Sequence, residues 1–266
     1  MAFIQSEIMS EPFLNVKDVT LQYKTKEYLV TATYRVNFQV YQSERLILLG
    51  PSGCGKSTLL KAIGGYLKPA EGVIHLEGRE INKPGPDRGI VFQEFEQLLP
   101  WKTVLENVVF ALTTSGKLTT QEAKEQAEFY LEKVNLTKFA GSYPHTLSGG
   151  MKQRVAIARC LALKSKIILM DEPFAALDAL TRQKMQEELL ELWSESHFTL
   201  VFVTHSIDEA ILLGTRIVLL SPHPGQVKAE LNIDLESLED PRERQFKELH
   251  DRIHRILFKD QIEYMI

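Results

Sequence analysis

The sequence predicts an α/β fold with a buried parallel sheet at its centre, on three observations. Arg45-Leu46-Ile47-Leu48-Leu49, Lys166 to Met170 and Thr199 to Val203 are short and almost wholly apolar, the pattern of strands covered on both faces, and the second and third are expected among the neighbours of the first in the sheet. Segments with helical starts lie between and after them, so strand and helix alternate along the chain. The first run ends in a glycine-rich loop that leads into the helix-competent stretch Leu59-Leu60-Lys61-Ala62-Ile63, in the strand, loop, helix order of a ligand-binding turn.

Taken in order, the pattern starts at Phe13. Leu14, Val16 and Val19 are followed by the Thr/Tyr/Val-rich segment Tyr28 to Tyr41, where Tyr34, Val36, Phe38 and Val40 alternate with polar residues. That alternation predicts strands with one wet face as far as Leu76. Between Glu94 and Leu163 the reading turns helical. Thr103 with Glu106, and Thr119 with Glu122, have capping-box spacing, in which the Thr hydroxyl and the Glu carboxylate each satisfy a free backbone N–H at a helix start. Leu180 to Trp193 predicts another helix, and Ser206 with Glu209 a third capping box after the strand Thr199 to Thr204. Ser221-Pro222-His223-Pro224-Gly225 is the candidate boundary. The main domain is thus expected over 13–222, with a helical subdomain over about 94–163, and 223–266 as a tail carrying one amphipathic helix from Arg242 to Lys259. In that tail Phe246, Leu249, Ile253, Ile256 and Leu257 form an apolar stripe suited to docking on the main domain.

At 266 residues, 44% apolar and 25% charged, the chain has hydrophobic mass for one large core or two small ones, which excludes disorder for most of it. The net charge of −4 comes with no strongly basic half, which disfavours a sequence-independent DNA binder. Mean hydropathy is −0.13, and runs such as Ile167-Ile168-Leu169-Met170 fall far short of the ~20 residues a membrane-spanning helix needs. Cys54 and Cys160 are too few for a disulfide framework, and Met1 to Pro12 lacks the basic start and apolar stretch of an export signal. A reducing, cytoplasmic compartment is expected.

Gly50-Pro51-Ser52-Gly53-Cys54-Gly55-Lys56-Ser57-Thr58 matches the phosphate-binding pattern G-x-x-x-x-G-K-[ST]. Glycine lets the backbone wrap closely enough for successive N–H groups to point inward, and the helix N-terminus adds partial positive charge. Lys56 is then the counter-charge for the β- and γ-phosphates, and Ser57 a hydroxyl for Mg²⁺. Cys54 is read as a small residue that offers its backbone N–H rather than as a redox switch.

The run Ile167 to Met170 leads directly into Asp171-Glu172-Pro173, which puts two carboxylates at the C-terminal end of a buried strand, where open α/β sheets hold their ligands. Asp171 is the expected Mg²⁺ partner through a coordinated water, and Glu172 the group that polarises the attacking water. His205 follows the strand Leu200 to Val203 through Thr204, at a third strand end on the same side, and is expected to bond the γ-phosphate and position that water.

At Leu147-Ser148-Gly149-Gly150-Met151-Lys152-Gln153-Arg154 the chain resembles the LSGGQ signature of ATP-binding-cassette (ABC) proteins, and its place after Gln93 and before Asp171-Glu172 matches the order in that family. The resemblance implies a P-loop NTPase of ABC ATPase type, a RecA-like core with an antiparallel β subdomain and an α-helical subdomain. It implies that Ser148 and the amides of Gly149 and Gly150, at a helix N-terminus, bind the γ-phosphate of ATP held by the opposite subunit, so that two ATP are sandwiched between head-to-tail domains. Gln93 resembles the Q-loop glutamine that touches Mg²⁺, and Asp178 in Ala176-Leu177-Asp178 the D-loop that crosses the dimer interface. Tyr23 is favoured as the ring that stacks on adenine, over Tyr28 and Tyr34.

Pro84-Gly85-Pro86-Asp87-Arg88-Gly89, Leu98-Leu99-Pro100-Trp101 and the Pro224-Gly225 turn look like the nitrate/sulfonate/taurine importer family. Ala175, Ser206 and Gln42-Ser43-Glu44 depart from the usual pattern without removing a catalytic group. The resemblance implies ATP and Mg²⁺ as cofactors and an ATPase that powers solute import. The implied partners are a second ATPase subunit, as a homodimer, two transmembrane permease subunits and an extracytoplasmic substrate-binding protein, with no nucleic acid. It also implies a peripheral position on the cytoplasmic face of the cell (inner) membrane, with Phe95 and Leu98 to Trp101 receiving a coupling helix of the permease. The rival, a soluble ABC ATPase acting in DNA repair or on ribosomes, calls for a long insertion or two cassettes, whereas Gln93 and Leu147 stand only 54 positions apart and there is one motif set. His250 and His254, at helical i and i+4, lack an evident third ligand for zinc.

Overall fold

The computed structural model describes residues 11–24, 28–93, 97–116, 118–233 and 244–262. The first half runs β1 (Leu14–Lys24), β2 (Leu29–Val40), β3 (Arg45–Leu49), α1 (Lys56–Ile63), β4 (Glu71–Leu76), β5 (Arg79–Glu80), β6 (Arg88–Val91), α2 (Val104–Thr114) and α3 (Thr120–Lys133). The second half runs α4 (Gly149–Ala162), β7 (Ile167–Asp171), α5 (Ala179–Ser196), β8 (Thr199–Thr204), α6 (Ile207–Leu213), β9 (Arg216–Leu220), β10 (Val227–Asn232) and α7 (Arg244–Ile262). Among the described residues no helix is long and apolar enough to cross a membrane.

The strands form two sheets, a smaller antiparallel one in the order β2-β1-β4-β5 and a larger one in the order β10-β9-β3-β8-β7-β6. In the larger sheet all neighbours are parallel except β10, which lies antiparallel on the β9 edge. Side chains alternate across this sheet and divide the core. Leu46, Leu48, Leu169, Val201 and Val203 pack toward α1 and the smaller sheet. Ile47, Leu49, Ile168, Met170 and Phe202 pack toward the helices on the other face. Both faces are covered, which is why β3, β7 and β8 are buried throughout.

The strand order corrects one expectation. Thr199–Thr204 does pair with β3, but β7 lies one strand further out, and the second neighbour of β3 is β9. Pairing between distant segments is not written in any local pattern, and the β9 run Ile217-Val218-Leu219-Leu220 is as apolar as the others. The Ser221–Gly225 segment is a turn between two adjacent strands of the same sheet, since β10 returns along β9.

The wet face of β2 also differs from strict alternation. Val36, Phe38 and Val40 are buried, but Tyr34 is exposed. Arg35 has φ 46° and the β1–β2 register slips nearby, so a bulge puts Tyr34 out of phase with Val36.

Two of the three predicted capping boxes form in full, at the starts of α2 and α3. The third is only half made. Ser206 Oγ accepts from the Glu209 N–H at 3.3 Å, but the Glu209 carboxylate turns inward to accept from Thr204 Oγ1 and from Gln186 Nε2. Buried, that carboxylate gains more from two donors than from the exposed end of the helix. α7 lies against α6 with Phe246, Ile253 and Leu257 buried.

Candidate nucleotide site

The register of the large sheet brings its strand ends level, pairing Leu49 with Thr204 and Asp171 with Val203. The loops that follow β3, β7 and β8 therefore emerge side by side. After β3, residues 50–55 form the phosphate loop, with Gly55 at φ 95° as the N-cap of α1. A Cβ at Gly55 would lie 2.6 Å from the Ala32 carbonyl oxygen and 2.7 Å from Thr33 Cγ2. A Cβ at Gly225 would run into the Cys54 carbonyl oxygen. Gly225 in turn donates its N–H to Ala32 O (3.0 Å) and accepts from the Tyr34 N–H (2.9 Å). β2 and the turn after β9 thus make the floor of the loop, which only glycine at 55 and 225 allows. The sequence alone does not assign Thr33 or Gly225 to the site; the Pro224-Gly225 pair was the available signal.

The Lys56 ammonium is almost wholly buried. It donates to the carbonyl oxygens of Gly50 (2.8 Å) and Pro51 (3.0 Å) and lies 3.8 Å from Glu172 Oε1. Ser57 Oγ donates to Asp171 Oδ1 at 2.7 Å. Burial pushes the Asp171 carboxyl above its ordinary pKa, a shift the Ser57 hydrogen bond opposes. Two hard oxygen donors this close suit Mg²⁺, which binds through one or two protein oxygens plus substrate phosphates and keeps several waters. Cys54 is buried beneath the loop, and burial raises its thiol pKa, so it is a poor nucleophile.

Glu172 stands at φ 44°, a left-handed conformation that costs a non-glycine residue of order 1 kcal/mol or more and is held by its N–H bond to Val203 O (3.0 Å). That turn directs its Oε2 to 2.8 Å from His205 Nδ1. A cavity of about 50 Å³ adjoins the pair, lined by Phe174, Ala175, Arg182 and Ser206 as well. Here the chain offers a carboxylate for a water proton beside an imidazole whose second nitrogen carries an N–H for an anion when the ring is protonated.

Lys56, Ser57, Asp171, Glu172 and His205 are brought together. The phosphate-loop residues Gly50 to Gly55 and Thr58 surround Lys56 and Ser57, and Gln93 leaves β6 beside the β7 end that carries Asp171 and Glu172. Ser148 Oγ caps α4 by accepting from the Met151 N–H (3.3 Å), and Gly150 packs where a Cβ would lie 3.0 Å from Thr181 Cγ2 on α5. Asp178 caps α5 through the Thr181 N–H (3.0 Å), and hydrogen bonding from the Thr181 hydroxyl, then from its N–H, lowers the Asp178 carboxyl pKa. Tyr23, at the end of β1, is half exposed, and Tyr28 and Tyr34 are exposed as well. Gln93 is exposed just after β6.

A second concavity, of about 550 Å³, is lined by Pro86, Leu99, Asn107, Phe110, Arg159 and Leu163, so it borders α2 and α4. Of the segment expected there, Leu98 belongs to the core, Leu99 lines the groove, Trp101 is 70% exposed, and Phe95 lies outside the described residues.

A family model described as ABC transporter matches residues 33–175. An uncharacterized ABC transporter ATP-binding protein of Methanocaldococcus jannaschii is 47% identical over 249 residues, 94% of this chain and 92% of that protein. The taurine import ATP-binding protein TauB of Rhizobium johnstonii is 45% identical over 236 residues, covering 86% of this chain and 89% of that protein. The nitrate import ATP-binding protein NrtD of Synechocystis sp. is 41% identical over 235 residues, 88% of each. Among solved structures, a dimeric, post-hydrolysis ATP-binding cassette bound to ADP and Pi matches with a TM-score of 0.73 at 37% identity, covering 83% of this chain and 99% of that one.

Proposed function

The chain belongs to the ABC transporter family, and on that premise we propose that it is the ATPase subunit of an importer of small solutes of the taurine, nitrate or sulfonate kind, driven by ATP-dependent closure of a dimer. The observation that carries this reading is the convergence of the Ser57–Asp171 and Glu172–His205 pairs on the phosphate loop.

In this reading the loop amides from Gly53 to Ser57 and the Lys56 ammonium take the β- and γ-phosphates, Lys56 exchanging the Gly50 and Pro51 carbonyls for phosphate oxygens. Ser57, Asp171 and Gln93 would hold Mg²⁺, whose chemistry is to neutralise charge on the phosphates. Glu172 takes a proton from the attacking water, and His205, oriented through Nδ1, presents its other nitrogen to the γ-phosphate. The Tyr23 ring supplies the adenine platform.

Ser148, Gly149, Gly150 and Asp178 serve the nucleotide of a second copy. The packing of Gly150 on Thr181, beside the Asp178 cap of α5, joins the starts of α4 and α5 into one surface and supports this. So does the dimeric form of the ADP-bound relative. ATP drives closure only through its preference for the closed state, and taking a 1:99 equilibrium to 99:1 needs about 5.5 kcal/mol. The groove bordered by α2 and α4 receives a permease segment on the cytoplasmic face of the membrane, with two permease subunits and an extracytoplasmic binding protein completing the importer.

Glu172→Gln tests the reading. The variant should bind MgATP, lose hydrolysis by on the order of 10²-fold or more, and accumulate as an ATP-dependent dimer in sedimentation. Turnover near the parent rate would remove Glu172 from the role of base.

A further inference from the structure

The helix that opens at Ser148 reaches the segment around Gln93 through buried side-chain amides. Gln153, fully buried on α4, donates from Nε2 to the carbonyl oxygens of Phe92 (3.1 Å) and Gln93 (3.5 Å). Its Oε1 accepts from Gln97 Nε2 at 3.1 Å. Gln97 brackets Phe92 in turn, accepting from its N–H (3.2 Å) and donating to its carbonyl (3.1 Å). Six residues along α4, Arg159 donates to the Gln97 carbonyl at 3.0 Å and also lines the large groove. Around Gln153 on the same helix, Val155, Ala156, Ile157 and Ala158 are buried and apolar, so the packing alone would accept an aliphatic residue there. An amide at such a position is retained by what it bonds, and in a dry setting those bonds are expensive to break.

We propose that Gln153 is a positioning residue that locks the start of α4 to Phe92, Gln93 and Gln97. The cis contact through Gln93 and the trans contact through Ser148, Gly149 and Gly150 are then made or lost together, and a displacement felt at Arg159 in the groove moves both. This rests on the dimer reading above, so its test contains a measurement that does not.

Gln153→Met conserves volume and removes the amide. In the full chain carrying Glu172→Gln, ATP affinity of the monomer should stay within about twofold, because the phosphate loop is untouched, while ATP-dependent dimerisation weakens about tenfold, the scale of a lost buried hydrogen-bonded link. In the nucleotide-free monomer, backbone amide exchange should rise together at Phe92 and at Met151. Unchanged dimerisation, or an equal loss of monomer ATP affinity, overturns the proposal. If the Glu172→Gln parent itself stays monomeric with ATP, the dimer reading fails, and the exchange measurement decides the coupling alone: faster exchange at both places supports it, and faster exchange at only one or neither overturns it.

Discussion

The Asp171 carboxylate sits 2.7 Å from the Ser57 hydroxyl in a place that disfavours its charge. It is 6% exposed, and burial raises its pKa above the ordinary value, with the Glu172 charge adding to the shift and Ser57, Lys61 and Lys56 opposing it. A carboxyl whose pKa is raised by folding stabilises the fold most below its ordinary pKa, and that contribution is lost as pH rises through the raised value. Asp171→Asn keeps an acceptor for Ser57 and removes the buried charge. It should therefore melt at the same or a higher temperature than the parent, with a larger gain at neutral pH than in acid, while Mg²⁺-dependent hydrolysis falls on the order of 10²-fold. Thermal melts across pH check the first part, and a lower melting temperature at neutral pH would show that the carboxylate stabilises the fold. These five clustered residues were legible because each follows an apolar run that reads as a buried strand, and level strand ends bring their loops together. Gln153 was not legible as a link, since a glutamine in a helix looks the same whether it faces water or a buried carbonyl.

At the scale of elements, what could be read from the sequence was what local chemistry decides. The Thr103 box forms as its spacing predicts, with Thr103 Oγ1 accepting from the Glu106 N–H (3.2 Å) and the Glu106 carboxylate accepting from the Thr103 N–H (2.7 Å). The Thr103 N–H bond holds the Glu106 carboxyl below its ordinary pKa, so the support it lends α2 is complete above the ordinary carboxylate range and is lost as pH falls through the lowered value. Thr103→Ala should cost about 1 kcal/mol and lower the melting temperature by about 2–4 °C. A loss well under that would mean water replaces the hydroxyl without penalty. Where an outcome depended on distant partners, local chemistry fell short. Glu209 has the spacing of a box but is claimed by Gln186 and Thr204, Tyr34 is turned out by the bulge at Arg35, and β10 follows a Pro-rich turn that reads as an ending.

At the scale of the whole molecule, the groove bordered by α2 and α4 shares Arg159 with the helix whose Gln153 bonds Phe92 and Gln93, which is the frame on which the proposed coupling rests. The rim of that groove is stiffened from within. Asn107, buried on α2, accepts from the Leu99 N–H (2.8 Å) and donates to the carbonyls of Leu99 (3.2 Å), Lys102 (3.1 Å) and Thr103 (3.0 Å). Four bonds from one side chain hold residues 99–103 in a fixed shape, and none of them uses the Trp101 side chain. Trp101 is nonetheless presented 70% exposed, and the charge of its neighbour Lys102 lies 5.3 Å from the Phe110 ring. A large ring so displayed on a rigid turn is suited to a hot-spot contact with a partner rather than to the core. Trp101→Ala should therefore leave the melting temperature and the ATP hydrolysis of the isolated subunit unchanged. In the complex reconstituted with its permease, transport should fall by on the order of tenfold or more, as expected for loss of a hot-spot aromatic. Measuring hydrolysis and transport on the same preparations separates the outcomes: if hydrolysis by the isolated subunit collapses as well, the ring is holding the turn and not the partner.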